Sequence, residues 1–238
     1  MGTPRRKPQR NNKVVVILSV LIVLLVLAGI APMVVSHMMG AGTKTEALNA
    51  DHAKPASTDL AGHWEVAKGK APNSSAVGFT FEEILPSGHK TTSGTTHEVS
   101  GAIDIDGEQL RSGDITVQMG NITTDEAKRD ISVRNKLLFT DKFPESSFRL
   151  TSPVDLSGIP GNGNPGTVKL TGDITILGKT KEISEDFLVL RDGDSLIASA
   201  NIPINREDFG VITPDFIAAK VAKDGELNIR LAFKKTSD

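Results

Sequence analysis

The sequence predicts an all-β protein, a closed antiparallel barrel of about eight strands with one short helix, preceded by an N-terminal transmembrane helix. Three observations predict this architecture. A nearly continuous apolar run lies close to the start of the chain. After residue 62, apolar side chains alternate with small or polar ones, which is the period of a strand with one buried face. Asp-Gly pairs and a loop rich in Gly, Pro and Asn separate the alternating runs, as hairpin turns do.

The N-terminal apolar run is long enough to cross a bilayer. Between positions 14 and 35, Ser19 is the only clearly polar side chain, and 16 of the 22 residues are Val, Ile or Leu. A helix rises about 1.5 Å per residue, so this run spans a hydrocarbon layer of about 30 Å. We therefore predict a transmembrane anchor at residues 14–36.

The residues before the anchor set its orientation. Residues 1–13 are predicted to be a cytoplasmic basic segment, because an excess of positive charge holds a terminus in the cytoplasm. The protein is then a single-pass protein of the cell membrane whose folded domain is extracytoplasmic. The alternative is a cleaved secretory signal and a secreted domain, but the apolar region of a signal is usually only about 7–15 residues long. The basic residues are Arg5, Arg6, Lys7, Arg10 and Lys13.

Composition excludes several functional classes. Without the five N-terminal basic residues, 22 Lys and Arg face 29 Asp and Glu, so the chain lacks the basic surface that a nucleic-acid partner requires. The absence of cysteine excludes disulfides, thiolate metal sites and cysteine nucleophiles. The few histidines have no third ligand at metal-binding spacing, so no metal site is expected. We find no nucleophile–base pair and predict no catalytic residue and no enzyme activity.

The part after the anchor divides into a linker and one domain. Residues 37–61 are small and polar without periodicity, which is typical of a flexible linker. Residues 62–238 are enough for one well-buried domain, and we assign the barrel to them.

Alternating runs mark the strands of the barrel. The clearest places Val168, Leu170, Gly172, Ile174 and Ile176 on one face. Turns are predicted at Asp106-Gly107, Asp192-Gly193 and Asp224-Gly225. Other runs begin at Val77, Ile103, Ile115, Phe148, Leu196 and Leu227.

One segment breaks the alternation and predicts the short helix. Thr123 and Glu126 have the spacing of a capping box, and acidic side chains in the first turn favour the helix dipole. The helix is expected to run to about Lys136, and Pro144 prevents its continuation.

Three motifs in order resemble the YceI-like family. Arg129-Asp130 is followed by Phe143-Pro144 and Phe148, and a glycine-closed strand runs from Gly172 to Gly178. Near the end of the chain comes Ile204-Asn-Arg-Glu-Asp-Phe-Gly210. Residues 62 to about 234 are covered by this resemblance. The chain departs from the family pattern at Ser132-Val133 and Asn73-Ser74, where relatives often carry histidines.

The resemblance implies a lipocalin-like barrel that encloses a long apolar ligand, typically a polyisoprenoid. Apart from such a possible bound isoprenoid lipid, no cofactor is expected. The predicted partners are an apolar lipid and the membrane reached through the N-terminal helix. The predicted ligand-binding residues are Phe79, Phe81, Val117, Phe148, Ile174, Ile176, Ala198, Arg129 and Arg206.

Elementary packing supports a hollow barrel. An eight-stranded barrel is just wide enough for its own side chains or for one small ligand. Small residues at inward positions leave room for a guest molecule, although glycine can also serve close packing. These positions are Gly78, Ser152, Gly172, Ala198 and Ala200.

Two alternatives to a lipid carrier or buffer stay open at this point. One is a cell-envelope interaction or stress module whose barrel is filled by its own side chains and holds no ligand. The other is an enzyme acting on a lipid or its head group, which would require a perturbed acid or base at the mouth. Arg129, Asp130 and Arg206 could contact a head group or could form structural ion pairs.

Overall fold

The structure is a computed structural model that describes residues 43–85, 88–213 and 220–236. The predicted basic segment 1–13 and anchor 14–36 lie outside these ranges, so both stay predictions. Among the described residues, no helix has the length and apolar character needed to cross a membrane.

The described part of the chain is built almost entirely of strands. One α-helix, α1 (Ala127–Ser132), continues into a π-helical turn (Val133–Leu137), and 3-10 turns occupy Met119–Asn121 and Arg206–Phe209. The strands are β1 (Gly62–Ala67), β2 (Ala76–Leu85), β3 (Gly88–Thr96), β4 (Val99–Asp106), β5 (Gln109–Gln118), β6 (Glu145–Leu150), β7 (Val154–Asp155), β8 (Gly166–Ile176), β9 (Lys179–Asp192), β10 (Ser195–Asn205) and β11 (Lys220–Lys235).

The sheet closes on itself as an eight-stranded antiparallel barrel. Its pairing runs β1–β4–β5–β6–β8–β9–β10–β11 and returns from β11 to β1. Strand β11 is long enough to pair with β1 near its C-terminus and with β2 along its N-terminal part. The β2–β3 hairpin therefore extends the wall formed by β1 and β4. The predicted fold class is confirmed for the barrel and its short helix.

Two of the three turns predicted from Asp-Gly pairs are confirmed, and the third is wrong. Asp106-Gly107 and Asp192-Gly193 connect neighbouring strands. Asp224-Gly225 is instead inside β11, where the register against β2 shifts between Val221 and Gly225. A side chain at Gly225 would collide with the ring of Phe81, so this glycine permits a close approach of two strands rather than a reversal.

The helix begins later than the capping-box motif predicts. Its N-cap is Glu126, and no side chain caps it. Thr123 is unavailable as a cap because its backbone pairs with Thr95 of β3. The Asp130 carboxylate accepts hydrogen bonds from the Thr124 backbone N–H at 2.6 Å and hydroxyl at 2.7 Å. The predicted capping box is wrong, and Asp130 ties the helix to the preceding loop.

The two ends of the barrel differ. We call the end with the β4–β5 and β9–β10 turns the closed end. There Trp64 is 2 % exposed, and its indole N–H donates to the Leu60 carbonyl at 2.8 Å. The opposite end is called the mouth. It contains the tip of β2, the helix segment (residues 127–139) and the turn after β10 (residues 206–212). Buried apolar side chains, including Leu60 and Leu156, pack at the closed end.

Residues 43–61, which we call the strap, lie against the outer wall. Leu48, Ala50 and Ala53 pack on the outward side chains of β9, β10 and β11, including the fully buried Leu190. The Asn73 side chain exchanges two hydrogen bonds with the Asn49 backbone, at 2.8 and 2.7 Å. The predicted linker 37–61 thus overlaps a segment with specific contacts to the barrel.

Candidate functional site

The barrel encloses a cavity of about 580 Å³. Its volume lies within the range of about 300–1,000 Å³ that is common for small-molecule sites. Side chains from strands all round the barrel line it, so the space coincides with the barrel interior. The interior is therefore not filled by the protein's own side chains.

The strand alternation explains why the deep part of the cavity is apolar. In β8 the buried positions are Val168, Gly172, Ile174 and Ile176, and every second residue faces inward. Strands β9, β10 and β11 contribute further aliphatic and aromatic side chains towards the closed end. These are Phe187, Val189, Leu196, Leu231 and Phe233.

All nine residues predicted to bind a ligand lie in the cavity wall. This includes the seven apolar residues on five different strands and both arginines. Whether they bind a ligand stays a prediction. They are Phe79, Phe81, Val117, Phe148, Ile174, Ile176, Ala198, Arg129 and Arg206.

The sequence analysis did not predict three residues of the cavity wall. Ile122, Val133 and Leu138 are at most 8 % exposed and line the cavity from the segment between β5 and β6. This segment has neither a regular strand nor a long helix, so no period marks its inward side chains. The only available signal was the local density of apolar residues.

The small residues at predicted inward positions have two different roles. Ala198 lines the cavity and leaves it room. A Cβ on Gly78 would instead meet the Gly94 carbonyl oxygen at 2.3 Å and the Thr45 side chain of the strap at 3.0 Å, so its predicted inward position is wrong and this glycine serves close packing. A Cβ on Gly172 would stand 2.4 Å from the Phe148 ring, so this glycine accommodates a neighbouring side chain. Ala200 belongs to the packed core. Ser152 is exposed beyond the end of β6, and its predicted inward position is wrong.

The glycine-closed motif also has a packing explanation. Leu177 and Gly178 form the two-residue turn between β8 and β9, both with positive φ, 51° and 71°. A Cβ on Gly178 would contact the Phe143 ring at 3.1 Å. The two phenylalanines of the first motif therefore pack on the two glycines of the second, Phe148 on Gly172 and Phe143 on Gly178.

Among the described residues, charged side chains enter the cavity wall only from elements at the mouth. Glu83 comes from the tip of β2, Arg129 and Lys136 from the helix segment, and Arg206 from the end of β10. Arg129 pairs with Asp125 on the preceding turn. An apolar interior with a charged opening suits an amphipathic molecule whose polar end stays near water.

Arg206 is a structural residue of the mouth. Its side chain is 9 % exposed and donates to the carbonyl oxygens of Val211 at 2.7 Å, Ala222 at 3.0 Å and Val221 at 3.2 Å. These bonds join the turn after β10 to the start of β11. The predicted ion pair is secondary, because Glu207 lies 4.0 Å away.

Lys90 of β3 is a charged group near the mouth that the sequence did not single out. Its Nζ is buried without a hydrogen-bond partner among the described residues. Burial, reinforced by the positive charge of Arg129, lowers the pKa of Lys90 below its usual value of 10.5, while Glu83 and Glu126 oppose that shift. An unpaired buried ammonium is unfavourable, so this position favours an additional acceptor.

The fold and the site define a class of small antiparallel barrel with an enclosed apolar cavity and a polar mouth. Residues 70–233 match the family model of the YceI-like domain. The chain therefore belongs to the YceI-like family, and the predicted resemblance is confirmed.

Two solved structures show the same fold. One is a polyisoprenoid-binding domain from Saccharophagus degradans implicated in plant cell wall breakdown, with a TM-score of 0.55 and 12 % identity over 73 % of this chain and 98 % of the other. The other is BcnA of Burkholderia cenocepacia, with a TM-score of 0.52 and 20 % identity over 66 % of this chain and 95 % of the other. No curated protein matches the chain.

Proposed function

We propose that this protein is a membrane-anchored, extracytoplasmic binding protein that holds a long apolar lipid, such as a polyisoprenoid, in its barrel. It acts as a carrier or buffer and not as an enzyme. The anchor is the predicted helix at residues 14–36, which would keep the barrel close to the bilayer where such lipids reside.

The single observation that carries the proposal is the cavity of about 580 Å³ with an apolar interior. Burying one CH₂ group contributes about 0.8 kcal/mol, so a chain of a few isoprene units binds without polar contacts. The S. degradans neighbour, a polyisoprenoid-binding domain, supports this ligand class. The charged residues at the mouth allow the polar end of the lipid to stay solvated.

The test is to extract the lipid from the purified full chain and identify it by mass spectrometry. Ala198→Phe enlarges an inward side chain of the cavity wall, and Leu188→Phe enlarges an exposed one on β9. We expect an isoprenoid in the unmodified protein and in Leu188→Phe, and much less in a folded Ala198→Phe. Equal recovery from both variants, or no apolar ligand in any of them, would contradict the proposal.

A further inference from the structure

Exposed apolar side chains are concentrated at the mouth. Among the described residues, five large hydrophobic side chains are exposed, and four of them lie on mouth elements. We call these four the rim: Ile84, Ile131, Phe139 and Ile212, which are 46 % to 72 % exposed. The fifth, Leu188, is on the side wall. Single exposed hydrophobics are ordinary, whereas a group round one opening marks an interaction site.

Every rim residue is next in sequence to a residue that lines the cavity. The rim therefore surrounds the opening rather than an unrelated part of the surface. Three separate elements supply it, namely the tip of β2, the helix segment and the turn after β10. The adjacent pairs are Glu83–Ile84, Ile131–Ser132, Leu138–Phe139 and Val211–Ile212.

Phe139 has an unusual backbone for an exposed aromatic residue. Its φ is 44°, in the left-handed region that bulky residues rarely adopt. Its carbonyl accepts hydrogen bonds from the backbone N–H groups of Lys142 at 2.8 Å and Phe143 at 2.9 Å. A tight turn thus presents the ring outward, and an outlier of this kind is a reason to look for a function.

The strap runs towards the same end of the barrel. At the closed end, the Ser57 N–H donates to the Gly193 carbonyl at 2.8 Å. At its other end, Lys44 pairs with Glu226 of β11 at 3.3 Å, opposite Thr80 of β2. The strap therefore runs along the outer wall from the closed end towards the mouth.

This direction matters because of the predicted anchor. The anchor predicted from the sequence would end at residue 36, and the seven residues from there to residue 43 span at most about 25 Å. A bilayer holding the anchor is therefore within reach of the mouth. A strap running the other way would carry the tether to the closed end.

We propose that the rim docks on the lipid bilayer, so that the mouth opens into the membrane and a lipid passes between bilayer and cavity without crossing water. This inference rests on the proposed function. It adds the surface, the partner and the orientation. The bilayer is favoured over a second copy of the chain because the strap brings the tether to this side and the cavity opens there.

Fluorescence quenching in vesicles tests the docking. The chain has no cysteine, so Ile84→Cys, Phe139→Cys and Ile212→Cys each introduce one labelling site for an environment-sensitive fluorophore. Matched controls are Leu188→Cys on the side wall and Asp106→Cys at the closed end. The full chain is reconstituted in phosphatidylcholine vesicles containing nitroxide-labelled phosphatidylcholine.

We expect quenching at the rim to be at least about threefold stronger than at the controls, because a docked apolar surface enters the interface by about 5–10 Å. Equal quenching at rim and control sites would overturn the proposal. So would rim labels that are shielded from water by a second copy, seen as self-quenching at high protein density without quenching by lipid.

A transfer measurement separates this inference from the function on which it rests. Ile84→Ser/Phe139→Ser/Ile212→Ser should slow uptake of a C20 prenol from the vesicles about tenfold, with occupancy after loading in detergent unchanged and Leu188→Ser as control. Unchanged uptake would contradict docking even if the prenol binds. Quenching at the rim without any bound prenol would retain docking and refute the proposed function.

Discussion

At the residue scale, the residues of the motifs that identify the family mainly stabilise the fold, through side-chain packing and hydrogen bonds. The Phe148 ring lies against Gly172, and a Cβ there would also approach the Arg149 carbonyl oxygen at 2.5 Å. Arg206 donates to three carbonyl groups at the mouth. Asp130 binds the loop that precedes the helix. None of these contacts involves a ligand, so the motifs indicate the barrel fold more directly than the identity of a ligand.

Gly172→Ala should destabilise the protein. The added methyl group would collide with a ring and with backbone, and such overpacking typically costs about 1–3 kcal/mol. Gly120→Ala is the matched control, because a Cβ at Gly120 has no neighbour within 4 Å. Urea denaturation measures both, and the control should change by less than about 0.5 kcal/mol. Similar free energies of unfolding for the two variants would contradict the packing explanation.

The charge of Lys90 should make the free energy of unfolding depend on pH in the alkaline range. Its folded pKa is lower than 10.5, so between the folded pKa and 10.5 the unfolded chain binds more protons. The free energy of unfolding therefore rises with pH through that window and levels off above it. Below the folded pKa, the buried charge lowers stability.

Lys90→Met removes this contribution. We expect the variant to be more stable than the unmodified protein at neutral pH, with the difference shrinking as pH rises towards 10.5. Denaturation at several pH values measures the difference in the free energy of unfolding between the two proteins. The contributions of the other lysines cancel, because both proteins contain them. A difference that stays constant with pH would show that Lys90 does not carry the effect.

At the element scale, side chains help to hold the turn after β10 in place at the mouth. The turn after β10 has no strand partner of its own, and Asn205 caps it by accepting from the Glu207 N–H at 3.0 Å. Gly210 ends it with a φ of 76°. The Arg206 side chain links the turn to carbonyl groups at the start of β11, beside an ion pair of Glu207 with Lys223 at 2.9 Å. Because Arg206 is the buried member of these links, the geometry of the turn depends on this residue.

Arg206→Met should loosen the mouth and lower the free energy of unfolding by at least about 1.5–3 kcal/mol, the value of one hydrogen bond to a charged group. Arg149→Met is the control, because Arg149 is exposed and pairs with Asp114 at 2.6 Å. An exposed pair contributes about 0–1 kcal/mol.

Urea denaturation and amide hydrogen exchange at Val221 and Ala222 measure the effect. Faster exchange in Arg206→Met, and unchanged exchange in Arg149→Met, is the expected pattern. Equal protection of these amides in both variants would show that the arginine does not hold the start of β11.

At the scale of the whole molecule, one closed sheet serves two purposes. Closure gives each of the eight strands of the ring a partner on both sides, and it surrounds a volume that the side chains do not fill. An empty apolar cavity forgoes dispersion contacts, so an apolar guest should stabilise the fold. The outer strap shows that the barrel also buries apolar surface on its outside.

Removal of the bound lipid should lower thermal stability. A ligand present at a hundred times its dissociation constant stabilises the folded state by about 2.7 kcal/mol, which corresponds to several degrees in a domain of this size. Calorimetry of the full chain before and after organic extraction measures the shift, and reloading with a C20 prenol should restore it. An extracted protein with an unchanged melting temperature that reloading does not alter would contradict ligand binding in the barrel.

The sequence alone determined the strand pattern, the absence of cysteine chemistry and the inward residues within the regular strand runs, because side-chain alternation is a local property of a strand. The packing of Phe148 on Gly172, the position of Gly225 inside β11 and the contribution of Ile122 to the cavity wall were decided by tertiary structure. Each depends on which distant segments meet, and a local period carries no information about that. The hollow interior itself is such a property, since it depends on how the strands close and not on any one of them.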